Sequence, residues 1–330
     1  MSRPRFPVSD HCDGEHFHNP AMAGDAGQPE PARGLMPILR WRFGGTRVRW
    51  PEHVTDPPPA GDPGTAPPPG GIALTFIGHS SFLLRLGGLT ILTDPIFSQR
   101  CSPVQWLGPQ RARPPGRRFE DLPRIDLVLV SHNHYDHLDL ASLRAVVRRD
   151  DPAFITPLGN RHLLAKAGAA SITELDWWQQ HTLRDAVVTA TPARHFSART
   201  PFDRNAALWS GFMIEHQGLR VLFAGDSGDG PHWLEIHQRL GAPDLALLPI
   251  GAYDPRNLMA PVHMDPEEAA GAHRALQARR SVGIHFGTFQ LTDEPIDEPP
   301  RRLAAALLAQ GIDRDAFTTL GFGETREFGG

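Results

Sequence analysis

Short apolar blocks recur along most of the chain, and glycine or proline separates them. Apolar-rich runs at residues 72–77, Ser81–Leu86 and Leu89–Thr93 are divided by glycines. Runs of this length between turn residues are typical of β-strands joined by tight turns. The pattern therefore predicts a meander of strands that begins near residue 71.

Strand patterns precede helical patterns in both halves of the chain. In the first half, a continuous apolar run at 125–130 predicts a buried strand, and helices are expected at 140–149 and Arg161–Ala167. In the second half we predict strands at Ala186–Thr191, 209–215, 219–224, Leu245–Pro249 and 281–285, and helices at His232–Leu240, from Asp265 to about Arg280, and at 301–310. This order predicts an α+β protein with two sheets flanked by helices.

Composition separates the first 70 residues from the remainder. Two proline triplets, Pro57-Pro58-Pro59 and Pro67-Pro68-Pro69, bracket a run rich in glycine, aspartate and alanine. Such a segment is typical of a semi-rigid linker rather than of a packed core. We predict an N-terminal arm and Pro-rich linker at 1–70 and one domain at 71–330, for which a hydrophobic fraction of 40% is sufficient.

Charge narrows the range of partners. The net charge of −4 argues against nucleic acid as a partner, which needs a broad basic face. Lys166 is the single lysine, and arginine suits bidentate binding of phosphate or carboxylate, although genomic base bias would give the same imbalance. Cys12 and Cys101 form no CxxC pair, and no run approaches the roughly 20 apolar residues of a membrane span. We predict a cytoplasmic protein, with peripheral membrane contact and a homodimer left open.

The strongest chemical signal directly follows the buried strand at 125–130. His132, His134, Asp136 and His137 lie within six residues. In an extended segment, residues i and i+2 point the same way, so His132 and His134 could bind one metal ion. After a turn, Asp136 and His137 would face a second ion, and imidazole and carboxylate are natural zinc ligands.

Three further side chains complete the predicted dinuclear site. His195, Asp226 and His285 each follow a predicted strand and precede a turn or a small residue. We assign His132, His134 and His195 to the first metal and Asp136, His137 and His285 to the second. Asp226 bridges both, because a carboxylate has two oxygens. The positive charge left over favours an anionic substrate such as a phosphate ester.

Several longer strings resemble one known family. They include Phe76-Ile77-Gly78-His79-Ser80, Thr93-Asp94-Pro95-Ile96-Phe97-Ser98, Ser131-His132-Asn133-His134-Tyr135-Asp136-His137-Leu138, Pro192-Ala193-Arg194-His195-Phe196-Ser197 and Pro249-Ile250-Gly251-Ala252-Tyr253. The chain resembles the metallo-β-lactamase superfamily and, within it, the N-acyl-phosphatidylethanolamine-hydrolysing phospholipase D family and its bacterial relatives. The resemblance covers residues 71–323 and implies a four-layer αββα sandwich.

The resemblance also implies an activity and a cofactor. The expected protein is a dinuclear zinc-dependent phosphodiester hydrolase that cleaves N-acyl-phosphatidylethanolamine to N-acylethanolamine and phosphatidic acid. Iron or manganese also suits a ligand set of nitrogen and oxygen atoms. The family places a histidine near the metals, which His263 matches, whereas the glutamine that precedes it in the animal enzymes is Val262 here.

Roles beyond the metal shell are assigned to four residues. Asp136 is expected to act in catalysis as well as to bind metal, and His263 is expected to contact the phosphate or protonate the leaving group. Asp94 is a candidate for holding a ligand histidine through its ring N–H. An aspartate of an ordinary turn before Pro95 is the alternative. His79, which follows Gly78, is a further candidate for such a supporting role.

Other activities are compatible with the same metal scaffold. A lactonase or a generic phosphodiesterase would keep the metals and change the pocket. A nuclease is disfavoured by the acidic balance and the lack of a basic arm. A non-enzymatic binding protein would have no need of seven metal ligands.

Overall fold

A computed structural model describes residues 5–20, 41, 44, 48–67 and 69–329, and these contain two seven-stranded sheets. The first sheet has the order β14-β1-β2-β3-β4-β5-β6. Strands β1, β2 and β3 are antiparallel, as tight turns require, whereas β3 to β6 run parallel. The bounds are β1 (Gly71–Gly78), β2 (Ser81–Leu86), β3 (Leu89–Thr93), β4 (Leu127–Leu129), β5 (Ala153–Pro157), β6 (Ile172–Leu175) and β14 (Thr325–Gly329).

The second sheet follows the same plan, with the order β13-β12-β11-β10-β9-β8-β7. Its strands β7 to β10 are antiparallel, and β10 to β13 are parallel. The bounds are β7 (Gln180–Leu183), β8 (Ala186–Thr191), β9 (Gly211–His216), β10 (Leu219–Phe223), β11 (Leu245–Pro249), β12 (Ser281–Ile284) and β13 (Phe317–Thr318).

Helices connect the parallel strands and cover the sheets. They include α1 (Leu140–Asp150), α2 (Arg161–Ala167), α3 (His232–Leu240), α4 (Arg256–Met259), α5 (Pro266–Ala275) and α6 (Glu298–Gln310), and a 3-10 turn lies at Phe119–Asp121. Side-chain caps fix two of the starts. Asp139 accepts from the first turn of α1, and Asp265 with Glu268 forms a reciprocal capping box on α5.

The hydrophobic core explains the layers. Alternate side chains of one strand point to opposite faces of a sheet. Leu84 and Leu129 of the first sheet pack with Val188 and Phe212 of the second between the two sheets. On the outer face of the first sheet, Leu83, Val128 and Val130 pack against helices α1 and α2, while α3, α5 and α6 cover the second sheet. The α+β class and the αββα sandwich are therefore confirmed.

Two kinds of difference from the predicted elements are informative. The helix expected to run to about Arg280 ends at Ala275, because Gln277 adopts a left-handed conformation and Arg280 then donates its N–H to Asp244 O, which leads into β12. Strands β5, β6, β7, β13 and β14 were not predicted. Four of them, β6, β7, β13 and β14, lie at the edges of the sheets, and β5 lies between β4 and β6. Pairing with neighbouring strands specifies them more than a distinct apolar pattern does.

Parts of the N-terminal arm contact the sandwich. The indole N–H of Trp50 donates to Glu294 O at 2.8 Å, and Asn19 bonds to the main chain of His195. Residues 21–40 lie outside the described residues, so the division at residue 70 stays a prediction. Within the described residues, the helices are too short or too polar to cross a bilayer.

Candidate metal centre

Side chains from both sheets converge where strands end at one edge of the sandwich. His132 to His137 follow β4, and His195, Asp226 and His285 follow β8, β10 and β12. Neighbouring parallel strands end at the same edge, so their following loops meet. The structure brings all seven predicted ligands together there, together with Asp94, His79 and His263.

The first group of side chains is His132, His134 and His195, whose ring nitrogens lie within 4.8 Å of one another. His134 Nδ1 is 2.9 Å from His132 Nε2 and 3.1 Å from His195 Nε2. His195 Nδ1 donates to Val262 O at 3.0 Å, which turns Nε2 toward the group. The grouping is the one predicted for the first metal.

The second group contains Asp136, His137 and His285. Asp136 Oδ2 lies 3.4 Å from Nε2 of each of these two histidines. Asp226 Oδ2 lies 3.1 Å from His137 Nε2, 3.0 Å from His285 Nε2 and 3.8 Å from His195 Nε2. Asp226 therefore stands between the two groups, as the bridging assignment requires.

Asp94 is linked by hydrogen bonds to a histidine of each group. It is fully buried, and its Oδ2 accepts from His137 Nδ1 at 2.6 Å and from Ser131 Oγ at 2.6 Å. Ser131 Oγ in turn lies 2.9 Å from His132 Nδ1. The geometry is that of a carboxylate that holds a ligand histidine by its ring N–H. The alternative of a simple turn aspartate does not account for these contacts.

His79 occupies the tight turn between β1 and β2 with φ of 58°. Its Nε2 donates to Asp136 Oδ2 at 2.9 Å, and its carbonyl accepts from His285 N at 3.0 Å. Burial lowers the pKa of His79 to about 3, so the ring is a neutral donor at pH 7. His79 thus positions members of the second group through both side chain and main chain.

Electrostatics distinguish the two groups. Burial lowers the pKa of His134 to about 4 and lowers the pKa of His132 and His195 well below the usual value. Burial acts the same way on His285, but the carboxylates of Asp226 and Asp136 together outweigh it and raise that pKa to about 9. The first group therefore contains neutral imidazoles, whereas the histidines of the second group are paired with carboxylates.

The donor set fits two divalent metal ions. Among the described residues, Asp226 Oδ1 is buried and has no hydrogen-bond partner, and the buried Nε2 atoms of His137 and His285 lie close to Asp226 Oδ2 without hydrogen-bond geometry. A buried polar atom without a partner costs roughly 1–3 kcal/mol, so such atoms call for a ligand. Imidazole nitrogens and carboxylate oxygens in two adjoining groups match borderline metals such as zinc, iron or manganese.

His263 lies against the centre without entering either group of three. Its Nδ1 is 3.9 Å from Asp226 Oδ2, and its ring centroid is 5.1 Å from that of His195. Arg256, the first residue of α4, donates to His263 O at 2.9 Å and to Glu268 of α5 at 2.6 Å. It therefore ties the loop that carries His263 to both helices. The Val262 side chain is buried, so its contribution to the site is its carbonyl, not a lipid-facing surface.

The sequence did not indicate two residues that fix ligand positions. Ser131 links Asp94 to His132, and its place directly before the first histidine was the available signal. Asn19 Nδ2 donates to His195 O at 2.9 Å, and Asn19 Oδ1 accepts from His195 N at 3.2 Å. No local pattern could reveal a contact across 176 residues.

Arginines of the 100–118 loop are largely structural. The Arg111 guanidinium is buried and donates to Ser98 O and Ile96 O at 2.9 and 2.8 Å. Arg113 pairs with Asp56 and Asp297. These two side chains stabilise the loop and are not available to bind substrate.

Comparison with known proteins identifies relatives over the region that carries the centre. Residues 90–286 match the model of the beta-lactamase superfamily domain. An uncharacterised protein of Mycobacterium tuberculosis is 41% identical over 71% of this chain, and the match spans 64% of the mycobacterial protein, less than two thirds of its length. N-acyl-phosphatidylethanolamine-hydrolyzing phospholipase D 1 of Caenorhabditis elegans is 35% identical, over 78% of this chain and 76% of that protein.

Solved structures show the same fold. Igni18, described as a novel metallo hydrolase of the archaeon Ignicoccus hospitalis, superimposes with a TM-score of 0.59 at 26% identity. The alignment covers 78% of this chain and 98% of Igni18. The similarity therefore extends over most of the chain.

Proposed function

Since the chain belongs to the metallo-β-lactamase superfamily, we propose that it is a dinuclear metal-dependent hydrolase of phosphodiesters. The observation that carries the proposal is the convergence of seven histidine and aspartate side chains in two adjoining groups linked by Asp226. We further propose zinc as the metal and N-acyl-phosphatidylethanolamine as the substrate. Similarity to the nematode phospholipase D supports this substrate class.

Two bound metal ions would supply Lewis acidity and lower the pKa of water to near 7. The residues of the chain do the remaining work. His132, His134 and His195 would hold one ion, while Asp136, His137 and His285 would hold the other. Asp226 fixes the spacing between the two groups, and Asp94 and His79 orient their members.

Asp136 and His263 are proposed to act on the substrate and its protons. The Asp136 carboxylate lies between His137, His285 and the ring N–H of His79, so it can orient a water molecule and accept its proton while His79 holds it in place. The His263 ring borders both groups, with its centroid 5.1 Å from that of His195 and 5.3 Å from that of His285. This proximity supports a contact between His263 and a phosphate oxygen or the leaving oxygen.

Metal analysis combined with a substrate panel tests the proposal. We expect about two equivalents of metal per chain, and turnover of N-acyl-phosphatidylethanolamine and of a chromogenic phosphodiester. Asp226→Asn should lose bound metal and lower turnover by on the order of a thousandfold. His181→Gln, on strand β7, is the matched control and should behave as wild type. Hydrolysis of a lactone in place of phosphodiesters would instead identify a lactonase on the same scaffold.

A further inference from the structure

Large apolar side chains project into solvent on two loops beside the metal centre. Trp106 and Leu107 are 77% and 61% exposed, and Phe202 is 94% exposed. Scattered exposed apolar residues are ordinary on a protein surface, but bulky ones grouped beside a site mark an interaction surface. We call Trp106, Leu107 and Phe202 the apolar tips.

The loop that carries Trp106 and Leu107 is held by hydrogen bonds across its base. Arg100 pairs with Gln110 in a β-bridge, and Cys101 N donates to Pro109 O at 3.2 Å. The Gln105 side chain bonds to both the N–H and the carbonyl of Arg100 at 3.0 Å. These hydrogen bonds fix the base of the loop, and Trp106 and Leu107 are exposed at its far end.

The loop that carries Phe202 is also pre-formed. Asp203 Oδ1 accepts from Arg199 N at 2.9 Å and from Thr200 N at 2.7 Å, and Asn205 N donates to Ser197 O at 2.8 Å. These bonds close the turn and leave Phe202 at its apex. Since both tips are organised, their apolar side chains could meet a partner at a small entropic cost.

Both loops pack against the same residue of the metal-binding segment. On one side of Tyr135, its hydroxyl donates to Arg199 O at 3.1 Å, and the Arg199 guanidinium lies 3.8 Å from its ring centroid. On the other side, Tyr135 packs against Cys101 and Phe289. Both loops therefore adjoin the metal-binding segment at Tyr135.

Charge near the tips is complementary to an anionic surface. Residues 99–118 contain no aspartate or glutamate. Arg100, at the base of the loop that carries Trp106, donates to two neutral acceptors, Gly108 O and the Gln110 amide oxygen, so these partners do not neutralise its charge. The exposed Arg204 guanidinium lies 4.5 Å from the Phe196 ring centroid, and that ring lies 4.5 Å from His134. Arg204 thus stands between the Phe202 tip and the metal centre.

We propose that the apolar tips insert into the interfacial layer of a phospholipid bilayer while Arg204 contacts lipid phosphate groups. Tryptophan and phenylalanine favour this layer, where an apolar ring and polar headgroups meet. The surface would place the metal centre over the membrane and admit a headgroup between the loops. This inference rests on the proposed function, because docking on a membrane serves catalysis if the substrate is a phospholipid of that membrane.

Vesicle flotation with the full chain tests the docking surface. The probe is vesicles of phosphatidylcholine, with and without a minority of phosphatidylglycerol. We expect binding that is stronger to the anionic vesicles, and a blue shift of tryptophan emission as Trp106 enters the bilayer. The double variant Trp106→Ser, Phe202→Ser should lower the partition coefficient by on the order of tenfold or more.

Leu308→Ser is the matched control, because Leu308 is similarly exposed but lies on helix α6. It should bind vesicles as wild type does. Equal binding by the double variant and wild type would overturn the proposal. So would a change from dimer to monomer in the double variant with vesicle binding unchanged, since the tips would then join two copies of the chain.

Turnover of a water-soluble chromogenic phosphodiester separates this inference from the proposed function. The double variant should retain that turnover and lose activity only on vesicular substrate. If wild type hydrolyses no phosphodiester yet its vesicle binding depends on the apolar tips, the proposed function fails and the docking surface stands.

Discussion

At the scale of single residues, the Asp94 carboxylate reaches two proposed metal ligands at once. One oxygen accepts from His137 directly and from the Ser131 hydroxyl, which contacts His132. The other oxygen, Oδ1, accepts from the Ser131 N–H at 2.7 Å, so the carboxylate uses both oxygens, whereas an amide has one acceptor oxygen. The position of each imidazole therefore depends on a residue that binds no metal itself.

Asp94→Asn should weaken metal binding without removing any proposed ligand. The amide would lose an acceptor for His137 or for Ser131, so we expect metal affinity to fall roughly 10–100-fold. Competition with a chromogenic chelator measures the affinity. Asp121→Asn, at an exposed aspartate paired with Arg118, is the control. Unchanged affinity in Asp94→Asn would show that the carboxylate does not orient the ligands.

Predictability from sequence differs between residues for a physical reason. The seven proposed ligands share one local signature: each follows an apolar run that ends in a turn. Ser131 and Asn19 have no such signature, because their roles arise from contacts with groups whose positions only the folded chain determines. A histidine at a strand end could be inferred, but the groups that orient it could not.

At the scale of elements, the N-terminal arm fixes the main chain of His195, a proposed ligand that follows strand β8 of the second sheet. The Asn19 side chain satisfies both the N–H and the carbonyl of His195 in a buried setting. The arm also docks through Phe17, whose N–H donates to Asn205 O at 2.8 Å. The arm therefore restricts the segment that carries His195.

Asn19→Ala should leave two buried main-chain groups of His195 without these partners. We expect a loss of roughly 1–3 kcal/mol in the free energy of unfolding and a fall in metal affinity on the order of tenfold. Chemical denaturation and metal titration measure the two effects. His18→Ala, at the neighbouring exposed position, is the control. A loss of stability with unchanged metal affinity would limit Asn19 to a structural role.

His11 should make the docking of the arm dependent on pH. Its ring nitrogens bond to Asp176 at 2.8 Å and to Asp10 at 2.6 Å, and it stacks on Trp177. Burial lowers the pKa of His11, but the two carboxylates outweigh burial and raise it above the usual value. The stabilisation is then fully present below about pH 6.5 and is lost as pH rises through the raised pKa.

The measurement is the difference in unfolding free energy between wild type and His11→Gln at about pH 6 and pH 9. The difference should be larger at the lower pH. His16→Gln, an exposed histidine of the same arm, should show no such trend. A difference that grows toward pH 9 would have the wrong sign for a protonated His11.

At the scale of the whole molecule, sequence patterns predicted what is local. The capping box of α5 and the strands around the metal centre follow from short windows of sequence. Strand β14 could not be predicted in this way, since it pairs with β1 across the length of the domain, with Gly71 opposite Gly329. Edge strands such as β6 and β7 are half polar, and pairing rather than periodicity specifies them.

Metal binding should couple the two sheets, because the proposed ligands are divided between them. His132, His134, Asp136 and His137 follow a strand of the first sheet, and the remaining three follow strands of the second. A ligand that binds only the folded state adds about 4 kcal/mol at a thousand times its Kd. Removal of metal with a chelator should therefore lower the melting temperature, by on the order of 10 °C.

Differential scanning calorimetry of the full chain, with and without chelator, measures this coupling. Zinc or manganese added back in excess should restore the transition. Asp226→Asn should melt at a low temperature in either condition, because it lacks the carboxylate between the two groups. If wild type melted at the same temperature with and without chelator, the convergence of seven side chains would not be a metal centre that links the sheets.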